Sequence, residues 1–159
     1  MKSINLDGTI VGQESDCYVI AEVGHNHKGD IEVCKQIFKS AKECGASAVK
    51  LQKRDNKSLY TQKMYDSSYN SENSYGKTYG LHREALEFNI DQYKELQDFA
   101  KDIGISFFAT PFDIESVDFL EKLNLPYYKV SSSDLKNIKL VKYIAQLQKP
   151  MIISTGGCN

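Results

Sequence analysis

Short apolar runs alternate with amphipathic stretches along most of this chain. Five runs are rich in β-branched and aromatic residues and end in glycine or polar residues, which predicts β-strands. The predicted strands are residues 17–24, 47–52, 105–112, 127–133 and 150–156. Apolar positions at helical spacing predict the helices between them. These run from Ile31, capped by Asp30, to a stop at Gly45, and over residues 90–103, 114–123 and 135–148.

Strands that alternate with helices of this length are typical of βαβ units in a parallel sheet. The pattern therefore predicts an α/β fold. Part of a barrel and an open, flavodoxin-like five-stranded sheet fit the pattern equally well. The first predicted strand is not followed by a GxGxxG sequence, so a dinucleotide-binding fold has little support.

One predicted connection, residues 53–89, is far longer than the others and is called the 53–89 excursion below. Loops between a strand and a helix usually have about 2–6 residues, and longer ones are either functional or disordered. Its tyrosines favour an ordered segment over the strand ends, although a surface loop without a role is the alternative. They are Tyr60, Tyr65, Tyr69, Tyr75 and Tyr79.

The composition is that of one globular domain: 159 residues, 41% hydrophobic, with a net charge of −1. Lysines are scattered among acids, so no nucleic-acid or membrane surface is expected. There is no signal-peptide pattern and no run of 18 apolar residues, which favours a cytoplasmic location. Without a CxxC pair, the four cysteines predict neither a zinc knot nor a disulfide framework. They are Cys17, Cys34, Cys44 and Cys158.

Polar or ionisable side chains stand near the C-terminal end of every predicted strand. The C-terminal ends of parallel strands lie on the same side of a sheet, and both barrels and open α/β sheets bind ligands there. We therefore expect one shared site, although any single polar strand end could simply be solvated. The residues concerned are Glu22, Lys50, Gln52, Thr110, Lys129, Ser132, Asp134, Ser154 and Thr155.

Lys50 and Lys129 are the most informative of these residues. A lysine within an apolar strand is costly to bury unless it faces an anion or a carboxylate. Two of them on one sheet predict a common anionic ligand, with phosphate as the natural choice. Pairing of each lysine with Glu22 or Asp134 is the structural alternative. His25 and His27 have no third ligand nearby in sequence, so they more often order a turn than bind a metal.

Six ordered motifs resemble the N-acetylneuraminate (sialic acid) synthase family from Cys17 onward. They are IAEVGHNHKGD, AVKLQ, YGLHREALEF, FFATPFD, YYKVSSSD and ISTGG. The resemblance implies a (β/α)₈ barrel of TIM type and decides between the two folds. It also implies condensation of phosphoenolpyruvate with an N-acylated aldose such as N-acetylmannosamine, using a divalent metal, Mn²⁺ or Mg²⁺.

The same resemblance implies roles for individual residues. Lys50, Lys129, Ser132 and Ser154 would bind the phosphate of phosphoenolpyruvate, and Gln52 and Thr110 would contact the same substrate. Glu22 would hold sugar hydroxyls. Asp134, where many relatives have glutamate, would handle the proton of the attacking water, and its shorter side chain leaves its reach and the acceptor open. The acceptor could be N-acetylmannosamine, its phosphate or a related acylamino sugar.

Five predicted strands are fewer than the eight of a barrel, which typically needs about 250 residues. We therefore expect residues 1–159 to be the N-terminal portion of an incomplete barrel, with about five of eight βα units. In the family, the metal-binding histidines and a domain completing the sugar site come later. The isolated chain is expected to be inactive, and its open sheet edges predict homo-oligomerisation. The alternative is a non-catalytic module that binds a phosphorylated metabolite or self-associates.

Overall fold

The computed structural model describes residues 3–156. Its strands are β1 (Ile4–Leu6), β2 (Thr9–Val11), β3 (Ile20–Gly24), β4 (Ala48–Lys53), β5 (Ser106–Pro111), β6 (Tyr128–Val130) and β7 (Met151–Ile153). Its α-helices are α1 (Ile31–Glu43), α2 (Asn56–Leu59), α3 (Gln62–Tyr65), α4 (Tyr79–Glu84), α5 (Ile90–Asp102), α6 (Ile114–Glu121) and α7 (Ile138–Gln146). A 3₁₀ turn, Ser132–Asp134, follows β6.

Strands β3 to β7 form a parallel sheet in which spatial neighbours follow chain order. A flavodoxin-like sheet would instead place its first strand between the second and the third. The observed order is that of consecutive barrel strands. The predicted parallel α/β sheet is therefore confirmed, with β3 and β7 at its two edges.

The two faces of this sheet have different neighbours. On one face, Val49, Leu51 and Phe107 pack against apolar residues of the long helices in the main core. The other face has a smaller apolar cluster to which no helical residue belongs, made of Leu6, Ala48, Phe108 and Tyr127. Helices on one face only are what a barrel wall requires, since the opposite face lines the interior.

The hairpin of β1 and β2 covers one end of that interior face and was not predicted. Asp7 and Gly8 connect its strands with φ values of 52° and 87°. Positive φ at both positions matches the two-residue turn that Asp-Gly favours in hairpins. Leu6, at the end of β1, is only 3% exposed and packs with Phe108 and Tyr127. The hairpin thus closes the end of the sheet face opposite to the strand C-termini.

Local side-chain bonds shorten the last predicted elements. The predicted strand 127–133 ends at Val130, because the next residues turn and Asp134 accepts hydrogen bonds from the Ser131 and Ser133 hydroxyls. The predicted helix 135–148 begins only at Ile138, where Asn137 Oδ1 accepts from the Leu140 amide at 3.2 Å. Serine and asparagine side chains compete in this way with regular backbone pairing.

The 53–89 excursion contains three short helices, each capped by a side chain that precedes it: Asp55, Thr61 and Thr78. Three tyrosines and a histidine of the excursion pack on one another in T-shaped and tilted pairs, with centroid separations between 4.5 and 5.6 Å. We call this group the tyrosine cluster; it comprises Tyr60, Tyr69, Tyr79 and His82. The excursion is therefore built on aromatic packing and helix caps.

Two further features bear on the expected class of protein. Among residues 3–156, no helix combines the length and the apolar character needed to cross a membrane. Cys17, Cys34 and Cys44 are free thiols, and Cys158 lies outside the described residues. Burial raises the pKa of Cys34 to about 12, so this thiol is an inert packing residue at neutral pH.

Candidate functional site

Two buried lysines lie within strands β4 and β6, on the helix-free face of the sheet. Lys50 of β4 is 3% exposed, and its Nζ donates to Thr110 Oγ1 at 2.9 Å. Lys129 of β6 is 9% exposed, and its Nζ donates to Ser154 Oγ at 2.5 Å. Glu22 Oε2 lies 3.8 Å from Lys50 Nζ. Lys50 of β4 therefore contacts Glu22 of β3 and Thr110 of β5, and Lys129 of β6 contacts Ser154, which follows β7.

The electrostatics of this group favour an anion. Burial lowers the pKa of Lys50, the nearby Glu22 carboxylate opposes that shift, and the charge of Lys129 lowers the pKa further. Burial also lowers the pKa of Lys129, again opposed by Glu22. One carboxylate thus serves two ammonium groups, and the Glu22 side chain is itself 62% exposed. The site carries more positive than negative charge and stays open to solvent.

The structural alternative, in which carboxylates pair with each lysine, holds for one lysine only. Lys50 contacts Glu22, whereas the hydrogen bonds of Lys129 within residues 3–156 go to Ser154 and to the Val130 carbonyl at 3.0 Å. Asp134 instead accepts hydrogen bonds from the hydroxyls of the 131–134 turn. The charge of Lys129 is therefore not matched by a carboxylate of its own.

The remaining predicted residues lie beside this group. Gln52 follows Lys50 on the same face of β4, and its Oε1 accepts from Arg54 Nη1 at 2.9 Å. Ser132 and Asp134 stand in the turn after β6, exposed and half-buried respectively. In the described part of the chain, neither the Ser132 hydroxyl nor the Asp134 carboxylate makes a hydrogen bond with the ammonium group of Lys50 or Lys129.

A second polar group, centred on Glu87, was missed from sequence. Glu87 Oε2 accepts from Lys53 Nζ at 3.0 Å and from the Arg54 amide at 3.2 Å. Glu87 Oε1 lies 3.4 Å from His25 Nε2, and His25 Nδ1 accepts from Arg83 Nη2 at 3.3 Å. These five residues form the Glu87 network. Its members come from three separate segments, so no local spacing in the sequence reveals it. The one signal in the sequence was the pair of basic residues that ends AVKLQKR.

Ionisation within the Glu87 network follows from burial and contact. Burial raises the pKa of Glu87, but contacts with His25 and Lys53 outweigh it and leave the pKa below its usual 4.5. Burial lowers the pKa of His25, so its ring is neutral at neutral pH. Because Arg83 can only donate, His25 Nδ1 is the acceptor and Nε2 carries the proton toward Glu87.

Comparison with known proteins assigns this chain to a family. Residues 37–159 match the NeuB family. The chain belongs to the NeuB family. It is 46% identical over 149 residues to mouse N-acetylneuraminate-9-phosphate synthase and 44% identical over 149 residues to the human protein of that name. Each match covers 94% of this chain and 42% of the relative, so the chain spans less than half the length of these relatives.

A solved structure supports the fold of this NeuB family chain. The N-acetylneuraminic acid (sialic acid) synthetase of Leptospira borgpetersenii superposes with a TM-score of 0.82 at 24% identity, over 99% of this chain and 51% of that protein. At this identity the likeness concerns the fold alone. The resemblance to the sialic acid synthase family is thus confirmed, and the parallel sheet takes the arrangement of that family's barrel.

The metal implied for NeuB family members has no ligand set among residues 3–156. No group of three or more His, Cys, Asp or Glu side chains there is placed to hold a metal ion. His27 is buried, its Nδ1 accepts from the Gly29 amide at 3.1 Å, and its ring stacks on Phe88 at 4.2 Å. Burial lowers the pKa of His27 to about 4, in keeping with a structural role in the turn.

Proposed function

We propose that this chain supplies the phosphoenolpyruvate-binding part of a nonulosonic acid synthase site in a cytoplasmic enzyme. The observation that carries the proposal is a pair of buried lysines, Lys50 on β4 and Lys129 on β6, on the helix-free face of the sheet, each with a hydroxyl partner. Phosphoenolpyruvate carries a phosphate and a carboxylate, which suits two separated ammonium groups. Membership of the family supports the reaction class, and the site supports the substrate.

The proposed reaction is an aldol-like condensation with an N-acylated aldose such as N-acetylmannosamine. The double bond of phosphoenolpyruvate attacks the aldehyde carbon of the open-chain sugar and forms the new C–C bond. Water then adds to the resulting oxocarbenium carbon and gives up a proton. The C–O bond to phosphate then breaks and a ketone forms; of the two protons of the water, one ends on the alkoxide left by the aldehyde oxygen and the other on the released inorganic phosphate, so atoms and charge balance.

The residues of this chain have separate parts in that scheme. Lys50 and Lys129 offset the negative charge of the bound and leaving phosphate, with Thr110 and Ser154 fixing their ammonium groups. Ser132 and Gln52 extend the anion-binding surface on either side. Glu22 holds sugar hydroxyls, and Asp134 takes the proton of the attacking water. A divalent metal would polarise the aldehyde in the family's chemistry.

The substitution Lys129→Ala tests the phosphoenolpyruvate site. It removes a charged donor, so the affinity for phosphoenolpyruvate should fall by about tenfold or more. Isothermal titration calorimetry at low salt measures this directly. The matched control is Lys39→Ala, which removes the same charge from an exposed lysine of α1 whose side chain is 67% accessible. Equal phosphoenolpyruvate affinity in the Lys129 variant and the control would refute the assignment.

We also propose that the 159-residue chain alone does not complete the reaction. The described residues contain no metal-ligand group, and the chain covers 42% of its relatives. The purified chain should therefore form no sugar acid from phosphoenolpyruvate and N-acetylmannosamine with Mn²⁺ present, as followed by chromatography. Detection of the sugar acid above the level of a Lys129→Ala preparation would contradict this expectation.

A second candidate is a self-associating, non-catalytic half-barrel. It is favoured by the sheet topology, because β3 and β7 are edges within the described sheet and offer backbone groups for pairing. Homo-oligomerisation is common to both candidates. A defined oligomer by light scattering without affinity for phosphoenolpyruvate would select the non-catalytic module, whereas phosphoenolpyruvate binding selects the enzyme site.

A further inference from the structure

The side-chain amide of Gln52 belongs to the strand row that carries Lys50. Gln52 is the Cα partner of Thr110 in the register of β4 and β5. The Thr110 hydroxyl in turn accepts from Lys50 Nζ at 2.9 Å. Alternate residues of a strand share a face, so Gln52 stands on the same face of β4 as Lys50 and one step nearer the strand end. An anion held by Lys50 therefore lies beside the Gln52 amide.

A glutamine side chain can bind an anion with only one of its two ends. Its NH₂ group donates hydrogen bonds, whereas its carbonyl oxygen only accepts them and repels a phosphate or a carboxylate. A half-turn of the last side-chain torsion exchanges the two ends, and that torsion is broad enough to allow both orientations. The end that faces a ligand is therefore decided by what the other end contacts.

Arg54 determines the orientation of this amide. Its Nη1 atom donates to Gln52 Oε1 at 2.9 Å. Arginine has five N–H donors and no acceptor, so it can hold only the oxygen end of the amide. Within residues 3–156, the Nε2 group of Gln52 makes no hydrogen bond, and both of its N–H donors are left for a ligand.

The Arg54 side chain is itself held in place. Its Cζ atom lies 3.7 Å from the centroid of the Phe112 ring, well within the range of a cation–π contact. The Arg54 backbone amide donates to Glu87 Oε2 at 3.2 Å, and the Phe112 amide donates to the Lys53 carbonyl at 3.1 Å. These contacts fix both the guanidinium and the ring under it, as is required of a residue that orients another.

We propose that Arg54 is a positioning residue for phosphoenolpyruvate binding, which holds the carbonyl oxygen of Gln52 away from the ligand and so presents the Gln52 NH₂ group to it. Arg54 acts through Gln52 and does not itself touch the ligand. It lies four positions beyond Lys50, roughly 13 Å along the chain at about 3.3 Å per residue, which agrees with an indirect role. This inference rests on the proposed function, in which Gln52 extends the anion-binding surface.

A double-mutant cycle tests whether Arg54 acts through Gln52. Calorimetry at low salt gives the phosphoenolpyruvate affinity of the unaltered chain, of Gln52→Met, of Arg54→Met and of the double variant. Loss of the Gln52 donors should weaken binding by about tenfold. Arg54→Met leaves the amide free to turn, so a smaller fraction of chains presents the NH₂ group, and binding should weaken by about threefold or more. Added to Gln52→Met, it should change the affinity by less than about twofold.

The cycle separates this indirect role from simpler ones. If Arg54 touched the ligand, attracted it by charge alone or only maintained the fold, its loss would weaken binding equally with and without Gln52. Equal losses in the two backgrounds, or no loss in Arg54→Met alone, would overturn the inference. The matched control is Lys63→Met, which removes the same charge from an exposed lysine of α3 and should leave the affinity unchanged. Far-ultraviolet circular dichroism verifies that each variant is folded.

Nuclear magnetic resonance of the Gln52 side-chain amide tests the contact without phosphoenolpyruvate. In the unaltered chain its NH₂ group should have an order parameter near the rigid-backbone value of about 0.85, and in Arg54→Met one below about 0.6. Gln52→Met identifies the signal by its disappearance. A mobile Gln52 amide in the unaltered chain would overturn the inference, and this result needs no variant of Arg54. Equal order in the unaltered chain and in Arg54→Met would also overturn it.

The two measurements distinguish a failure of this inference from a failure of the proposed function. Absence of phosphoenolpyruvate binding to the unaltered chain, with a Gln52 amide that loses its order in Arg54→Met, would refute the proposed function alone. Binding that Lys129→Ala weakens and Arg54→Met does not would refute the positioning role alone.

Discussion

Replacing Gly29 with alanine is expected to lower the free energy of unfolding by about 3 kcal/mol or more. Two costs add at this position. Gly29 has φ +80°, which L side chains rarely adopt, and a Cβ atom there would lie 2.2 Å from the Ala85 carbonyl oxygen. That oxygen belongs to the backbone just after α4, so the contact cannot be relieved by a change of rotamer. The loop after β3 and the end of α4 would have to separate.

Gly45→Ala is the matched control for this effect. Gly45 has φ +86°, close to that of Gly29, but no atom lies within 4 Å of the position of an added Cβ. It should therefore show only the conformational cost, about 1–2 kcal/mol. Urea unfolding of both variants, followed by circular dichroism, gives the two free energies. Losses of equal size would contradict the role assigned to the close approach of the 85–86 backbone.

The Gly29 contact also bears on the candidate site. It holds the turn that carries His25 and His27 against the segment that carries Arg83 and Glu87. A shift of that segment would move Arg83 relative to Arg54, while Lys50 and Lys129 lie on strands that this contact does not touch. In the part of the Gly29→Ala population that is folded, the affinity for phosphoenolpyruvate should therefore be little changed.

The lysine part of the site could be predicted because it depends on local rules. Alternation along a strand places Lys50 and Gln52 on one face, and the parallel arrangement of strands brings their ends together. The same reasoning reached Lys129, Thr110 and Ser154. These inferences use the two-residue alternation along a strand and the order of the strands, and a single sequence is enough to recognise both.

The Glu87 network could not be predicted in the same way. Lys53 looks like the first residue of a loop, yet it is the last residue of β4 and points to the helix side, where its Nζ lies 4.6 Å from the Phe119 ring centroid. Its partner Glu87 follows α4, and 33 residues of the excursion separate the two in the chain. No periodicity links such positions, because the length and path of the excursion decide which side chains meet.

The β1–β2 hairpin shows the opposite case, in which a local signal was present but was not used. Asp7-Gly8 is a strong hairpin turn, and apolar Leu6 precedes it directly. The turn alone does not show that the hairpin packs against Phe108 and Tyr127. This packing position follows from the barrel-like arrangement, in which an apolar residue is needed where the interior face of the sheet would otherwise be exposed to water.

Glu87→Gln is expected to destabilise the fold by about 3 kcal/mol, because it leaves the Lys53 charge buried without a carboxylate. The two side chains are 11% and 10% exposed, and Lys53 Nζ has one other hydrogen-bond acceptor within residues 3–156, the Phe88 carbonyl at 3.2 Å. The matched control is Glu43→Gln in the exposed Lys39–Glu43 pair, whose atoms are 4.0 Å apart. Glu43→Gln should change the free energy of unfolding by no more than about 0.5 kcal/mol.

The pH dependence of this difference tests its electrostatic origin. The pKa of Glu87 is lower in the folded chain than its ordinary 4.5, so its stabilising contribution is fully present above pH 4.5 and is lost as pH falls through the folded-state pKa. Below that value the unaltered protein also carries an uncharged side chain at position 87. Urea titrations at several pH values should therefore show the two proteins converging in acid. A difference that stays constant across this range would mean that shape, and not charge, makes Glu87 necessary.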